Sequence, residues 1–172
     1  MATYNIARFV RRILTPYAKK AASYTSNTKE LLEELQNINI DSDEVLVSFD
    51  VKSLYTSVPA MEAATAIREI INDDDLFEDH NEMTPDTFME IVKLCLTTAC
   101  LQFRGEHYEL TDGLAMGSPA SPCIANIYMD KFERNALDTF NGPPPKTWWR
   151  YVDDVLSVMK RRAVDELLRH LN

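Results

Sequence analysis

Two short apolar runs that each end in a carboxylate constrain the folding of this chain most. The upstream run covers residues 45–49, and Asp50 follows it directly. The downstream run ends in Tyr151-Val152-Asp153-Asp154. Runs rich in β-branched and aromatic residues predict strands. If their acidic ends meet, the carboxylates form the oxygen-rich site that Mg²⁺ prefers, and two such ions support an in-line phosphoryl displacement.

The two adjacent aspartates are expected to differ in role. Neighbouring side chains of a strand point to opposite faces. Asp153 and Asp154 can therefore face the same metal only if a turn changes the direction of one of the two side chains. We expect Asp153 to be the inner ligand and Asp154 to support it. Taken alone, the pair is also typical of a solvated hairpin turn. With Asp50, it fits a metal-dependent nuclease or phosphodiesterase as well as any other two-metal enzyme.

Composition indicates a single globular domain without a membrane segment. The chain has 172 residues, of which 45% are hydrophobic and 26% charged. No stretch approaches the ~20 apolar residues of a membrane span, and arginines interrupt the N-terminal segment where a signal peptide needs an apolar run. The three cysteines have no metal-type spacing, which predicts reduced core residues of an intracellular protein. They are Cys95, Cys100 and Cys123.

Charge is distributed unevenly along the chain. The net charge is −9, which is unusual for a nucleic-acid-binding protein. Residues 1–29 nevertheless contain six basic residues and no acid, whereas the remainder contains 12 basic and 27 acidic residues. The basic segment is suited to phosphate contacts, although a solvated helix face explains it equally well.

Hydrophobic periodicity predicts alternating helices and short strands. The predicted helices cover residues 5–22, a stretch opened by Ser26-Asn27-Thr28, 60–72, a stretch opened by Thr84-Pro85, 121–140 and 161–171. The predicted strands cover residues 44–50, 99–104, 106–110, 148–152 and 155–159. The near-continuous apolar character of 44–50 predicts a central, buried strand, and a turn is expected at Asp153-Asp154.

Two further segments are candidates for a binding pocket. Tyr55, five residues after Asp50, is suited either to the floor of a pocket beside the metals or to a core or helix-capping position. Residues 113–122 form a loop whose glycines permit close approach of the backbone to a ligand. The helix predicted after that loop would point amide donors at whatever lies in front of it. A purely structural loop also fits.

Three ordered motifs resemble the successive palm motifs of reverse transcriptases. They are residues 48–56 (SFDVKSLYT), 113–129 (GLAMGSPASPCIANIYM) and 150–154 (RYVDD). The wording of the second motif looks specifically like Penelope-like retroelements, which are related to telomerase. The resemblance implies an α/β (α+β) polymerase palm-type fold: a small, mainly antiparallel sheet backed by helices, with partial helical fingers. It also implies one partial domain, with helical residues 1–43, a palm core at 44–160 and the start of a further palm segment at 161–172.

The resemblance assigns a role to each matched residue. Asp50, Asp153 and Asp154 are the implied catalytic acids, and Asp50, Asp153 and the Val51 carbonyl are the implied ligands of two Mg²⁺ ions, for which Mn²⁺ can substitute. The implied nucleotide-binding residues are Tyr55, which selects against a ribose 2′-hydroxyl, Met116, Gly117 and Val152. The implied template and primer contacts are Ser121, Pro122 and Tyr151.

The implied activity is RNA-directed DNA polymerisation in the nucleus by a retrotransposon-derived enzyme linked to DNA integration. Its partners are an RNA template, a DNA primer and deoxynucleoside triphosphates, without a membrane. The basic finger segment, the thumb and the GIY-YIG endonuclease of the family are expected outside this sequence, so weak or absent activity is expected of the chain alone. A decayed or domesticated element acting as a non-enzymatic interaction module remains an alternative, as does a different two-metal phosphodiester enzyme.

Overall fold

The structure, a computed structural model, describes residues 4–25, 28–98 and 100–172. Ser26 and Asn27, predicted at the start of the second helix, and residue 99, predicted in a strand, lie outside these ranges. The helices are α1 (Tyr4–Ala18), α2 (Thr28–Gln36), α3 (Leu54–Ser57), α4 (Ala60–Asn72), α5 (Phe77–Asn81), α6 (Pro85–Thr97), α7 (Ser121–Thr139) and α8 (Val164–Leu171), with a 3-10 turn at Arg161–Ala163. The strands are β1 (Glu44–Asp50), β2 (Cys100–Phe103), β3 (Glu106–Glu109), β4 (Thr147–Tyr151) and β5 (Asp154–Lys160).

The chain divides into two compact units. The first contains Met1–Lys20 and Ser53–Met129, and the second contains Ala21–Lys52 and Asp130–Asn172. Each unit is therefore built from two separate stretches of sequence, and α7 contributes residues to both. The division into residues 1–43, 44–160 and 161–172 stays a prediction.

The first unit is mainly helical. Helix α6 packs against α1 and α4, and the Phe77 and Phe88 rings lie 5.5 Å apart, centroid to centroid. Thr84 caps α6, because its side chain accepts a hydrogen bond from the Thr87 amide and Pro85 occupies the first turn. A β2–β3 hairpin turns at Arg104 and Gly105, both at positive φ, as the sequence predicts.

The second unit contains an antiparallel sheet with strand order β1-β5-β4. Its helical side is closed by a cluster around Met159, Ala163 and Leu167, all nearly inaccessible to solvent. Partly buried apolar residues of β1, β4, α7, α8 and the segment just after α7 pack against this cluster; they are Val47, Phe49, Leu137, Phe140, Trp148, Val164 and Leu171. One face of the sheet is thereby covered, which is how a small antiparallel sheet becomes stable.

Two sequence predictions about this sheet are wrong. The sequence predicts a central β1, but β5 is central among the described strands and β1 lies at the edge. Burial along β1 alternates, and the Leu46 side chain is 48% exposed, because only one face of β1 packs against the core. The turn predicted at Asp153-Asp154 lies instead at Val152-Asp153, since Asp154 already pairs with both neighbouring strands.

Other sequence expectations concern the cysteines and the membrane. Cys95 and Cys123 are free thiols and partly buried, and desolvation raises the pKa of the Cys95 thiol. The side chain of Cys100 lies outside the description. Within the described ranges, none of the helices combines the length and apolarity that a bilayer crossing requires.

Glu44, at the start of β1, is expected to make the stability of the fold decrease at acidic pH. Its carboxylate accepts hydrogen bonds from the Asp41 amide at 3.0 Å and from Lys146 Nζ at 3.1 Å. The amide, followed by the lysine, lowers the pKa of Glu44 from 4.5 to about 2. Because the folded-state pKa is lowered, the stabilisation is present above pH 4.5 and is lost as the pH falls towards 2.

We therefore expect Glu44→Gln to lower the urea midpoint at pH 7 and to approach the wild type at pH 3. Urea unfolding followed by circular dichroism at both pH values measures this. An equal loss at pH 7 and pH 3 would contradict the assignment.

Candidate active site

Asp50 and Asp154 face each other across β1 and β5. The antiparallel register pairs Asp50 with Asp154, and Asp154 in turn with Tyr151 of β4. Directly opposite residues share one face of a sheet, with Cβ atoms about 4.5–5.5 Å apart. Tyr151, Asp154 and Asp50 therefore form a row across the three strands at one end of the sheet, on the face opposite Val155.

Asp153 lies beside this row, in the two-residue turn. The Val51 amide donates a hydrogen bond to the Asp153 carbonyl at 3.0 Å, so the backbone just after β1 is tied to the turn. Val152 has a φ of 59°, in the left-handed region that β-branched residues rarely adopt. The structure thus brings the backbones of Asp50, Asp153 and Asp154 together; which carboxylate is the inner ligand stays a prediction.

Asp50 and Asp154, with Asp153 in the adjoining turn, are candidate ligands of a divalent cation. All three residues are exposed, and none forms an ion pair with a lysine or arginine among the described residues. Carboxylates held close together without a cationic partner repel one another, and a bound cation relieves that repulsion. Across the described parts of the chain, no group of three or more His, Cys, Asp or Glu side chains is arranged to hold a metal. One or two carboxylates suffice for Mg²⁺, because it keeps several waters and also binds substrate phosphates.

A buried ion pair supports the turn from behind. Arg150 Nε donates to Glu133 Oε1 at 2.8 Å, and the two side chains are only 1% and 4% exposed. Glu133 also accepts from Ser23 Oγ at 2.5 Å and from Trp148 Nε1 at 3.0 Å. Arg150 Nη1 donates to the Val152 carbonyl at 3.3 Å. The buried network therefore reaches the turn that carries Asp153.

Sequence reasoning missed this network. Glu133 lies among the exposed-looking charges of a long helix, and Ser23 lies in a loop far upstream. The sequence signal that could have revealed the network is Arg150, a charged residue within an aromatic strand. Arg150 lies two residues after Trp148 and therefore shares its face of the sheet, which is the face covered by helices. A charge predicted on a buried face needs a buried partner, but the sequence does not indicate which acid provides it.

The predicted pocket residues come together in the first unit. The Leu114 amide donates to the Tyr55 carbonyl at 2.6 Å. Asp112 Oδ1 accepts from the amides of Ala60 and Gly113 at 2.9 and 2.8 Å, and these two bonds, the Ala60 bond first, lower the pKa of Asp112. The start of the 113–122 loop is therefore fixed against α3 and the first turn of α4.

The rest of this loop contains both solvent-exposed and buried residues. Met116 is 69% exposed and Gly117, at φ +86°, has open space around it, so both are accessible to a ligand. Ser121 is 4% exposed, and its hydroxyl donates to the Ala115 carbonyl at 2.7 Å. Ser121 therefore braces the loop, whereas Pro122 is exposed. The template roles of both stay predictions.

Gly113 and Gly117 provide a matched test of this loop. A Cβ on Gly113, at φ +88°, would lie 3.0 Å from the Thr56 Cα and carbonyl oxygen, whereas one on Gly117 meets nothing within 4 Å. We expect Gly117→Ala to cost about 1 kcal/mol from backbone strain alone. Gly113→Ala should cost about 2–4 kcal/mol, because overpacking adds to the strain. Urea unfolding measures both, and equal losses would contradict the close packing of Gly113 against α3.

The fold of the chain is similar to that of telomerases, whose palm is the polymerase type. The structure of apo telomerase from Candida tropicalis, truncated from its C-terminal domain, aligns with 97% of this chain and 36% of its own, at a TM-score of 0.62 and 15% identity. Telomerase from Candida albicans, in a complex with a TWJ fragment of telomeric RNA, aligns with 96% of this chain and 31% of its own, at a TM-score of 0.70 and 13% identity. The chain thus spans about a third of the length of these telomerases. A comparison with curated proteins gives no significant match.

These structures define a polymerase palm-type α/β fold, as the sequence predicts. The family model described as reverse transcriptase (RNA-dependent DNA polymerase) matches residues 5–172, nearly the whole chain. The chain belongs to the reverse transcriptase family.

Proposed function

We propose that this chain is the core of an RNA-directed DNA polymerase that joins deoxynucleotides to a primer on an RNA template. The observation that supports this most is the register that sets Asp50 opposite Asp154, with Asp153 in the adjoining turn. In the reaction, the primer 3′-hydroxyl attacks the α-phosphate of a deoxynucleoside triphosphate, a P–O bond forms, and pyrophosphate leaves. Family membership favours this reaction over phosphodiester cleavage.

Asp50 and Asp153 would hold two Mg²⁺ ions, with the Val51 carbonyl as a further ligand and Asp154 in support. When bound, such ions supply positive charge that favours the attacking alkoxide and the leaving pyrophosphate. The contribution of the chain is electrostatic and positional: it places the aspartates together, and the hydrogen bond between Val51 and Asp153 fixes the end of β1 against the turn.

The remaining site residues would bind the nucleic acid and the nucleotide. The Tyr55 ring is suited to exclude a 2′-hydroxyl by contact. Met116, Gly117 and Val152 are each proposed as contacts of the nucleotide. Tyr151, 57% exposed in the same row as the acids, is suited to the primer end. Pro122 is exposed in the first turn of α7 and would contact the template. Ser121 is buried and would support that contact by holding the preceding loop.

The origin of the chain is proposed from its motifs. The sequence AMGSP at residues 115–119, followed by residues 125–129, ANIYM, supports a Penelope-like retroelement. A retrotransposon enzyme of this kind works on chromosomal DNA, which favours a nuclear location and a role linked to DNA integration.

Product analysis tests the proposed reaction. The 172-residue chain is incubated with an RNA template, a labelled DNA primer, deoxynucleotides and Mn²⁺ or Mg²⁺. We expect weak, template-directed primer extension that is lost in Asp153→Asn. Shortening of the primer or template would assign a nuclease instead. Absence of both products, together with unchanged metal binding in Asp50→Asn, would favour a non-enzymatic interaction module.

A further inference from the structure

Helix α1 presents basic side chains on its exposed surface. Ala7, Val10 and Leu14 face the interior of the first unit. Arg8 and Arg12 are exposed away from that buried side, and Arg11 is exposed at its edge, one turn after Ala7. Lys19 continues the exposed side just after the helix, where its amide still bonds to the Thr15 carbonyl. We define Arg8, Arg11, Arg12 and Lys19 as the α1 basic surface.

The cations of this surface lack carboxylate partners in the structure as described. Five cations elsewhere in the chain are paired: Arg68, Arg134, Lys146, Arg150 and Lys160 each lie within 4 Å of a carboxylate oxygen. Within the described residues, none of the four cations of the α1 basic surface has such a partner. Arg12 instead stacks over the Phe9 ring of the same helix, 5.2 Å from its centroid.

The distinctive feature of the α1 basic surface is that its charges are concentrated on one segment. The chain has 27 acidic and 18 basic residues, yet residues 1–29 contain six bases and no acid. The surface therefore has no acidic neighbour within its own segment. On a protein of net charge −9, a polyanion is repelled by most of the surface and attracted here.

From this surface we infer a binding site for the phosphate backbone of the RNA–DNA hybrid formed by template and primer, an inference that rests on the proposed function. The four side chains extend along about 16 Å of helix axis, which matches several consecutive phosphates of a strand that carries one per ~3.4 Å of rise. Arginine suits this ligand because its planar fork binds phosphate oxygens through two parallel hydrogen bonds. Such contacts hold the hybrid without reading its sequence.

Salt dependence of binding provides the test. A fluorescent RNA–DNA hybrid with a template overhang is titrated with the full 172-residue chain at several salt concentrations. The test variant carries R8Q, R11Q, R12Q and K19Q. The control variant carries K93Q, R161Q, R162Q and R169Q, four exposed cations elsewhere, so both variants lose four positive charges. Thermal unfolding by circular dichroism establishes that both are folded.

A plot of log K against log salt concentration has a negative slope. We expect the magnitude of this slope to decrease by about 2–4 in the test variant, because each phosphate that the protein no longer neutralises reduces it by ~0.9. The control should keep nearly the wild-type slope. Equal slopes in both variants, or no binding by the wild type, would overturn the inference. Competition by polyglutamate that depends on the same four residues, without a slope change for the hybrid, would assign the surface to an acidic polypeptide and overturn it as well.

The proposed polymerase activity can fail separately. If the slope change appears but no primer is extended, the α1 basic surface stands and the reaction does not. If primer is extended while the slope stays unchanged, only the surface is wrong.

Discussion

Glu133→Ala is expected to lower the free energy of unfolding by about 3–5 kcal/mol, because it leaves the buried Arg150 guanidinium without its counter-charge. The Arg150 side chain is 1% exposed, so water does not replace the missing carboxylate. Ser23 Oγ and Trp148 Nε1 lose their acceptor at the same time, and each unsatisfied buried donor adds to the loss. Urea unfolding at pH 7 measures the change.

A matched control and a double variant separate the ion pair from general effects. Glu166→Ala, at an exposed glutamate of α8, should change stability by less than about 0.5 kcal/mol. Glu133→Leu combined with Arg150→Met should regain most of the loss, because apolar residues of similar volume often replace a buried pair without cost. If the double variant is as unstable as the sum of the single variants, the two side chains are not coupled and the assigned network is wrong.

The elements of the fold were largely predictable because their signals are local. Apolar spacing and a capping threonine placed α4, α6 and α7 within a few residues of their observed bounds. The positive φ at Gly105 agrees with the predicted hairpin. The family motifs then indicated the palm-type fold, which the structural comparison confirms.

Features that depend on distant pairing were not predictable. The sequence of a strand such as residues 45–49 does not reveal whether neighbouring strands pair with it on one side or on both. Its edge position follows from its pairing with β5 alone in the observed strand order. The one-residue error at the turn has the same origin, since the register with β1 decides where β5 begins. Glu133 was missed because its partner Arg150 lies on another element and neither helix nor strand periodicity reveals it.

The candidate site was predictable in its residues and less so in its geometry. The pattern of acids at strand ends indicated that Asp50 and the later aspartate pair belong to one end of a sheet. It did not indicate that Asp154 is the residue directly across from Asp50, because alternation assigns faces only after the register is known.

Removing the proposed inner metal ligands is expected to have the largest effect on function. We expect Asp50→Asn and Asp153→Asn each to reduce primer extension by about 10²–10³-fold, because each loses ~3–4 kcal/mol of charge stabilisation in the transition state. Mn²⁺ binding, followed by electron paramagnetic resonance of the free ion, should weaken in parallel. The asparagine side chain has the same shape, so unfolding should change little.

Asp154→Asn distinguishes the two assignments of the aspartate pair. If Asp154 only supports the site, its replacement should weaken Mn²⁺ binding by a smaller factor than Asp153→Asn does. A larger loss from Asp154→Asn would instead make Asp154, which faces Asp50 across the strands, the inner ligand. Asp75→Asn, in the exposed loop before α5, serves as the control and should leave both binding and extension unchanged. Among the described strand pairs, only Asp50 and Asp154 set two carboxylates directly opposite each other. Unchanged Mn²⁺ binding in all three site variants would exclude these aspartates as the metal site, because each variant removes the charge of one of them.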